Sequence, residues 1–258
     1  MPAEIHPTAI IERGAELAEG VRIGAYAYIG SRVRLGPGTL VHHHATIDGT
    51  TSIGARNTFF PYVSIGLPAQ DLKYRGGYPA LEIGDDNVFR EFSTVHCATY
   101  EGDVTRIGVH SYFLAYVHIA HNCNVGDHVI MSNNATLAGH VTVESHANIA
   151  GFAGVHQFCR IGRYAMLGGY SKVVQDMPPF MMCDGNPAVV RAPNRIGLER
   201  GGFTREEIGL ARHIFKVLYK KGLSRPGALR QLEAHPQADS HLIQGTLAFI
   251  EKSTRGLT

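Results

Sequence analysis

Nothing in the 258-residue sequence approaches the ~18 consecutive apolar residues of a spanning helix, which excludes a helical integral membrane protein. No sign of charge dominates either. Lys and Arg number 24 against 22 Asp and Glu, no block of like charge stands out, and the balance calls for neither nucleic acid nor a membrane surface as partner. Cysteine is scarce, and none of Cys97, Cys123, Cys159 and Cys183 forms a C-x-x-C pair. A zinc ribbon and a disulfide framework are therefore not indicated, and reduced thiols are expected. The first residues, MPAEIHPTAI, lack the charged and apolar segments of a leader peptide, so the expected location is the cytoplasm. With 44% hydrophobic residues the chain has enough for one large domain, or a large one with a small one.

What is present is a short repeat. Ile23, Ile29 and Leu35 in IGAYAYIGSRVRLG are six apart, each followed by glycine, and stepping by six from Ile5 to Val173 gives 29 positions of which only Asp71, Gly77 and Glu101 are not large and apolar. Neither a helix, at about 3.6 residues per turn, nor a simple strand, at 2, has this period, so short strands must be joined by regular corners and stacked. Two residues before each step the side chain is usually small or β-branched, as at Ala27, Val33, Thr51, Val117, Ala135, Ala153 and Ala165. Residues i and i−2 of a strand share a face, so both sets point into one narrow interior, and Cys123 and Cys159, in the same phase, read as buried structural thiols.

The repeated [LIV]-G-x-x-x-x pattern resembles the hexapeptide-repeat acyltransferase superfamily. The resemblance implies a left-handed parallel β-helix, three hexads to a triangular coil, residues 18 apart stacked, and flat faces that pack into homotrimers. The expected architecture is thus mainly β: a left-handed β-helix over residues 1–191 with loop excursions near 67–81 and 97–106, then a helical domain over 192–258. The excursions follow from LPAQDLKYRGGYPAL, rich in glycine and proline, and from CATYEGDVTR around Glu101. Loops on a rigid scaffold often carry function. Pro178, Pro179 and Pro187 end the repeat, Thr204-Arg205-Glu206-Glu207 has the form of a capping box, and Ile208, Ala211, Ile214, Phe215, Leu218 and Tyr219 follow at helical spacing. Lys216, Lys220 and Lys221 on this helix read either as a solvated face or as a contact for an acidic partner.

Coil stacking changes the reading of HIAHNCNVG (118–126). His121, Gly139 and Gln157 fall 18 apart, flanked by Asn122, His140 and His156, which makes one polar patch from three distant segments. Coils are about 4.8 Å apart, so one substrate can span two of them. His118 and His121 would lie roughly 10 Å apart along extended chain, too far for ligand bonds near 2 Å, although a corner between them shortens the gap. A metal site would need a third ligand from another coil or subunit, as in the γ-class carbonic anhydrases that share this solenoid. The alternatives are plain surface histidines, the reading given to His42-His43-His44, or a general base. A histidine titrates near pH 6.5 and suits proton removal from a hydroxyl, and a glycine beside it brings a backbone N–H close to a developing oxyanion.

The longer motifs narrow the resemblance. DLKY (71–74), HIAHNC (118–123), NNATLAGHV (133–141), VHQF (155–158), GF (202–203) and STRGL (253–257), in this order, are similar to the UDP-N-acetylglucosamine O-acyltransferase family of lipid A biosynthesis over nearly the whole chain. The resemblance implies His121 as the general base on the sugar 3-hydroxyl, with Asn122 beside it and the Gly139 N–H holding the oxyanion. It implies substrate contacts from Asp71, Lys73, His118 and His140, and from His156, Gln157, Asn194 and Arg200 of a neighbouring subunit. Gly169 falls where the family sets acyl-chain length. The implied partners are an acyl carrier protein bearing an (R)-3-hydroxyacyl chain and a UDP-sugar, with no cofactor and no metal. Four positions depart from the family: Asn122 replaces an aspartate, Cys97 and Gly201 each replace an arginine, and Ile196 replaces a glutamate. An isoleucine accepts no hydrogen bond and a lost arginine clamps no phosphate, so a different nucleotide-sugar acceptor, such as a 3-amino analogue that would be N-acylated, is the alternative.

Overall fold

A computed structural model describes residues 2–258. Each hexad has the same anatomy, which HIAHNC illustrates. His118–Ile119 form a two-residue strand, Ala120 and His121 turn, Asn122 adopts a left-handed conformation (φ 58°), and Cys123 points inward before the next strand, Asn124–Val125. Among the described residues the strands fall into three sheets of 11, 9 and 8 strands. Within the repeat every pairing is parallel and joins each strand to the third one before and after it, so the chain winds as a three-sided β-helix.

Register follows the 18-residue coil, as in Arg22↔Leu40 and His118↔Thr136. The two loops alter it in whole hexads. Pairings that span the first loop are 30 apart, as in Thr58↔Val88, and those that span the second are 24 apart, as in Thr94↔His118. Each excursion thus returns the chain in phase, and Leu81, Ile83 and Ile107 re-enter the interior. The first loop lies between Ser64–Leu67 and Ala80–Ile83, the second between Thr94–His96 and Val104–Ile107.

The interior is a column of the repeat's apolar residues. Phe59, Phe89 and Phe113 stack at 5.0 and 4.8 Å between centroids, all fully buried. Each such ring contributes roughly 1.5–3 kcal/mol by leaving water. All four cysteines are buried free thiols. Burial pushes Cys123 up to about 12 and Cys159 up to about 11, so neither is a reactive thiolate at neutral pH.

The corners carry a pattern that apolar periodicity does not reveal. Among the described residues, eighteen other than glycine have positive φ, most of them Tyr, Phe, His or Asn, a conformation L-residues normally avoid. Their rings stack from coil to coil: Tyr62 on Phe92 at 5.2 Å, Phe92 on Tyr116 at 4.9 Å, His128 on His146 at 4.7 Å. Face-to-face contact offsets the backbone cost. The triple histidine finds its explanation here, since His44 sits at a corner between the rings of Tyr26 and Tyr62.

The sheet continues beyond Val173, where the sequence reading ended the repeat. Met181–Gly185 pairs parallel with the last coil (Leu167↔Cys183) and antiparallel with Ala188–Pro193. The prolines permit this because Pro178 and Pro179 precede the hairpin and Pro187 lies in its turn. Four helices follow: α1 (Arg195–Arg200), α2 (Arg205–Tyr219), α3 (Arg225–Glu233) and α4 (His241–Glu251). They share a second core of Phe180, Met181, Leu198, Ala211, Ile214 and Leu242, and Val190 of the hairpin packs against both cores. We treat 192–258 as a proposed helical unit seated on the end of the solenoid.

Helix α2 begins with the expected capping box. The Glu207 N–H donates to Thr204 Oγ1 (3.2 Å) and the Thr204 N–H to Glu207 Oε2 (2.7 Å). Thr204→Ala is expected to lower unfolding free energy by about 1 kcal/mol with no change in turnover, measurable by urea titration beside an activity assay.

Candidate active site

The first loop arches back onto the solenoid. The Lys73 N–H donates to Asp71 Oδ1 (2.9 Å), closing a tight turn, and this bond chiefly holds the Asp71 carboxyl below the usual carboxylate range. That places Asp71 Oδ2 3.9 Å from His121 Nε2 and 3.3 Å from Thr99 Oγ1. Lys73 itself is exposed beside it.

His121 is half-buried at its corner, and its ring packs closely against Gly139 one coil on. A Cβ at Gly139 would stand 2.5 Å from His121 Cε1 and 2.6 Å from Nε2. Gly139 is thus required by the close approach of the imidazole, not by a left-handed backbone. Among the described residues no hydrogen bond uses the Gly139 N–H as donor, which leaves it available beside the imidazole.

The other imidazole nitrogen is held. Nδ1 lies 2.9 Å from Thr99 Oγ1 and 3.0 Å from Asn122 Oδ1. Asn122 Oδ1 also accepts the Thr99 N–H (3.0 Å), while Asn122 Nδ2 donates to Asp103 Oδ2 (2.9 Å). Both Thr99 and Asp103 belong to the second loop, and neither was expected from sequence. A signal existed for Asp103, which falls 18 residues before His121, on the rung that stepping forward along the chain passes over. Thr99 has no such signal, since only the loop's path brings it over.

The neighbouring histidines form a cluster of neutral bases. His118 Nδ1 lies 2.7 Å from Thr94 Oγ1, and burial, then the nearby His121, holds its pKa below the usual histidine value. His96 packs against His118 at 5.1 Å and is pushed down to about 4, chiefly by burial. His140 meets His121 edge-on at 5.3 Å and stacks on Phe158 at 4.7 Å, its pKa lowered by burial and then by His121. Around His121, burial and mutual repulsion favour the uncharged form of the other imidazoles. His156 and Gln157 are exposed on the following coil, with His156 Nδ1 3.2 Å from the Gln157 carbonyl oxygen.

The structure does not bring every expected residue to one place within the chain. Asn194 and Arg200 line a separate cleft of about 450 Å³ with His128, His146, Tyr164 and Ile196. Asn194 also caps α1, its Oδ1 accepting the Gly197 N–H (3.1 Å) and its Nδ2 donating to the Tyr164 carbonyl (2.9 Å). Ile196 is 55% exposed in this cleft. Gly201 lies against Tyr164, whose Cε1 would be 2.7 Å from an added Cβ, so an arginine there would have to displace the ring. Cys97 points into the coil instead, its thiol donating to the Gly66 carbonyl (3.1 Å), and burial raises its pKa to about 11. Gly169 is exposed, with only the Gly151 carbonyl near a would-be Cβ, at 3.3 Å.

A base and a free backbone donor one coil apart suit transfer of an acyl group to a hydroxyl, and the scaffold that holds them is the left-handed parallel β-helix of the hexapeptide-repeat acyltransferases. The family described as Udp N-acetylglucosamine O-acyltransferase, Domain 2, matches residues 176–258. An acyl-(acyl-carrier-protein) UDP-N-acetylglucosamine O-acyltransferase of Syntrophobacter fumaroxidans is 44% identical over 256 residues, covering 98% of this chain and 99% of the relative. One from Thermodesulfovibrio yellowstonii is 45% identical over 255 residues, covering 98% of each. The solved structure of LpxA from Acinetobacter baumannii superposes with a TM-score of 0.95 at 39% identity, covering 98% of this chain and 99% of that one. The chain belongs to the UDP-N-acetylglucosamine O-acyltransferase family.

Proposed function

We propose that the protein moves an (R)-3-hydroxyacyl group from acyl carrier protein to the 3-hydroxyl of UDP-N-acetylglucosamine, the first step of lipid A biosynthesis. The observation that carries this reading is the His121 imidazole over Gly139, its Nδ1 facing two acceptors. His121 Nε2 takes the hydroxyl proton as the sugar oxygen attacks the thioester carbonyl carbon. The carbonyl oxygen becomes an oxyanion that receives the Gly139 N–H, and its collapse expels the carrier's thiolate, which recovers the proton from the imidazolium. Asp71 and Lys73 on the first loop, with His118 and His140, hold the substrates. His156, Gln157, Asn194 and Arg200 serve the site of a neighbouring subunit in a homotrimer, which fits the placement of Asn194 and Arg200 in a cleft apart from His121 in this chain. No helix among the described residues is long and apolar enough to cross a membrane, and the reading places the enzyme in the cytoplasm.

A matrix of 3-hydroxyacyl-ACP donors against UDP-N-acetylglucosamine and its 3-amino analogue tests the proposal. Turnover with the first acceptor supports it. Turnover with the amino sugar alone replaces it with N-acylation, the reading favoured by Asn122, Ile196, Gly201 and Cys97. No turnover with any pair removes both. The same matrix reads chain length. With Gly169→Met, kcat/KM for the longest donor accepted is expected to fall by at least about tenfold while the shortest is unaffected, the scale of discrimination that one or two methylenes provide. Equal profiles for variant and wild type would remove Gly169 from the acyl groove.

A further inference from the structure

We propose that Asp103 is a positioning residue for the general base, supplying through Asn122 the negative charge that a carboxylate beside the imidazole would supply directly. The inference rests on His121 being the base in the reading above. An ionised carboxylate only accepts, so the Asn122 Nδ2 must face Asp103, at 2.9 Å. A backbone N–H only donates, so the Asn122 oxygen must face Thr99, at 3.0 Å. The two ends agree, and the amide cannot flip without losing both. Its oxygen, 3.0 Å from His121 Nδ1, therefore has nothing to offer that nitrogen but a lone pair.

The second neighbour of Nδ1 is a hydroxyl, which can donate and accept at once and so fits the same arrangement. The Thr99 hydroxyl donates to Asp71 Oδ2 at 3.3 Å and turns its lone pairs to Nδ1 at 2.9 Å. With acceptors on both sides, Nδ1 carries the proton and Nε2 the free lone pair, which is the tautomer a base needs at the Gly139 side. Asn122 is suited to the relay because asparagine tolerates the left-handed corner (φ 58°), where its N–H donates to Thr105 Oγ1 (2.8 Å). Asp103 acts through Asn122 alone, whereas Asp71 acts through Thr99 and also lies 3.9 Å from Nε2, so the two carboxylates reach the imidazole from two different loops.

The test compares Asp103→Ala, Asp103→Asn and the exchanged pair Asn122→Asp/Asp103→Asn with wild type. The first measurement is ¹⁵N NMR of the ligand-free protein, which reads the His121 tautomer without any substrate. Wild type is expected in the Nδ1–H form, and Asp103→Ala is expected to gain the Nε2–H form. In turnover, Asp103→Ala is expected to lose roughly tenfold in kcat, the effect of one charge-assisted hydrogen bond, with KM within about twofold. The exchanged pair, which returns a carboxylate to the ring with an amide to orient it, is expected to recover kcat beyond Asp103→Asn alone. A merely structural role for the second loop predicts loss of thermal stability in step with kcat, an unchanged tautomer and no recovery, and that pattern overturns the proposal. So does an Asp103→Ala variant with wild-type kcat. If wild type turns over no nucleotide sugar yet the tautomer responds as expected, the functional reading falls and the positioning role stands.

Discussion

His121→Ala is expected to cut kcat by about three orders of magnitude, within the 10²–10⁴ range that a positioned general base contributes, with KM for either substrate little changed. The ring makes its contacts with polar atoms at a half-buried corner and its removal leaves the interior column untouched, so the melting temperature should hold within a few degrees. His118→Ala separates the base from its neighbours. That imidazole is held to Thr94 and lies on the strand that leads into the His121 corner, so its loss should weaken binding more than chemistry. The assignment fails if His121→Ala turns over at more than about a tenth of the wild-type rate, or if His118→Ala is the slower of the two.

Gly139→Ala is expected to lower kcat by about 10²-fold although it adds a single methyl group. The added carbon would stand 2.5–2.6 Å from the His121 ring, and the backbone around it is anchored by the adjoining coils, so the imidazole must yield. Moving it takes Nδ1 from its two acceptors and Nε2 from the substrate, and displacement of a catalytic group by about 1 Å costs on that scale. Gly209→Ala in α2, where an added Cβ meets nothing within 4 Å, is the control and should leave turnover unchanged. Stopped-flow chemistry and a crystal structure of Gly139→Ala would decide the matter: a ring still in place with normal kcat removes the close approach as an explanation for the glycine.

Much of the architecture is legible in the sequence because the interior is one residue wide. A period of six in large apolar residues from Ile5 to Val173 specifies strand, corner and stacking together, and both loops preserve it by adding whole hexads. The hairpin after Val173 was not legible, since Met181–Gly185 pairs with the last coil without obeying the period. For the site, 18-residue stacking joins His121, Gly139 and Gln157 from primary structure alone. The same step taken backward reaches Asp103, but the loop that interrupts the repeat hides it. Thr99 and the return of Asp71 to His121 depend on loop paths, and loop paths are set by turns and single hydrogen bonds such as that from Lys73 to Asp71, not by a period. The roles implied for Cys97, Ile196 and Gly201 could be read as departures from a pattern. Only the structure gives their surroundings: a thiol turned inward, an isoleucine on a cleft wall, and a glycine under a tyrosine ring.

The two ends of the solenoid differ, and the difference gives the molecule a direction. At the first coil Ile5 and Ile10 are 46% and 60% exposed and Ile11 and Leu17 only half-buried, whereas the last coil is sealed by the hairpin and four helices. In a linear stack each coil is secured by its neighbours, so opening is easiest where the repeat's apolar residues are least buried. Amide protection is therefore expected to climb rung by rung from the coil of Ile5 toward that of His121, measurable by hydrogen exchange. The rungs of His121 and Gly139 lie many coils from Ile5, and slow exchange there would keep the spacing of the proposed base and oxyanion donor independent of the breathing of the first coils.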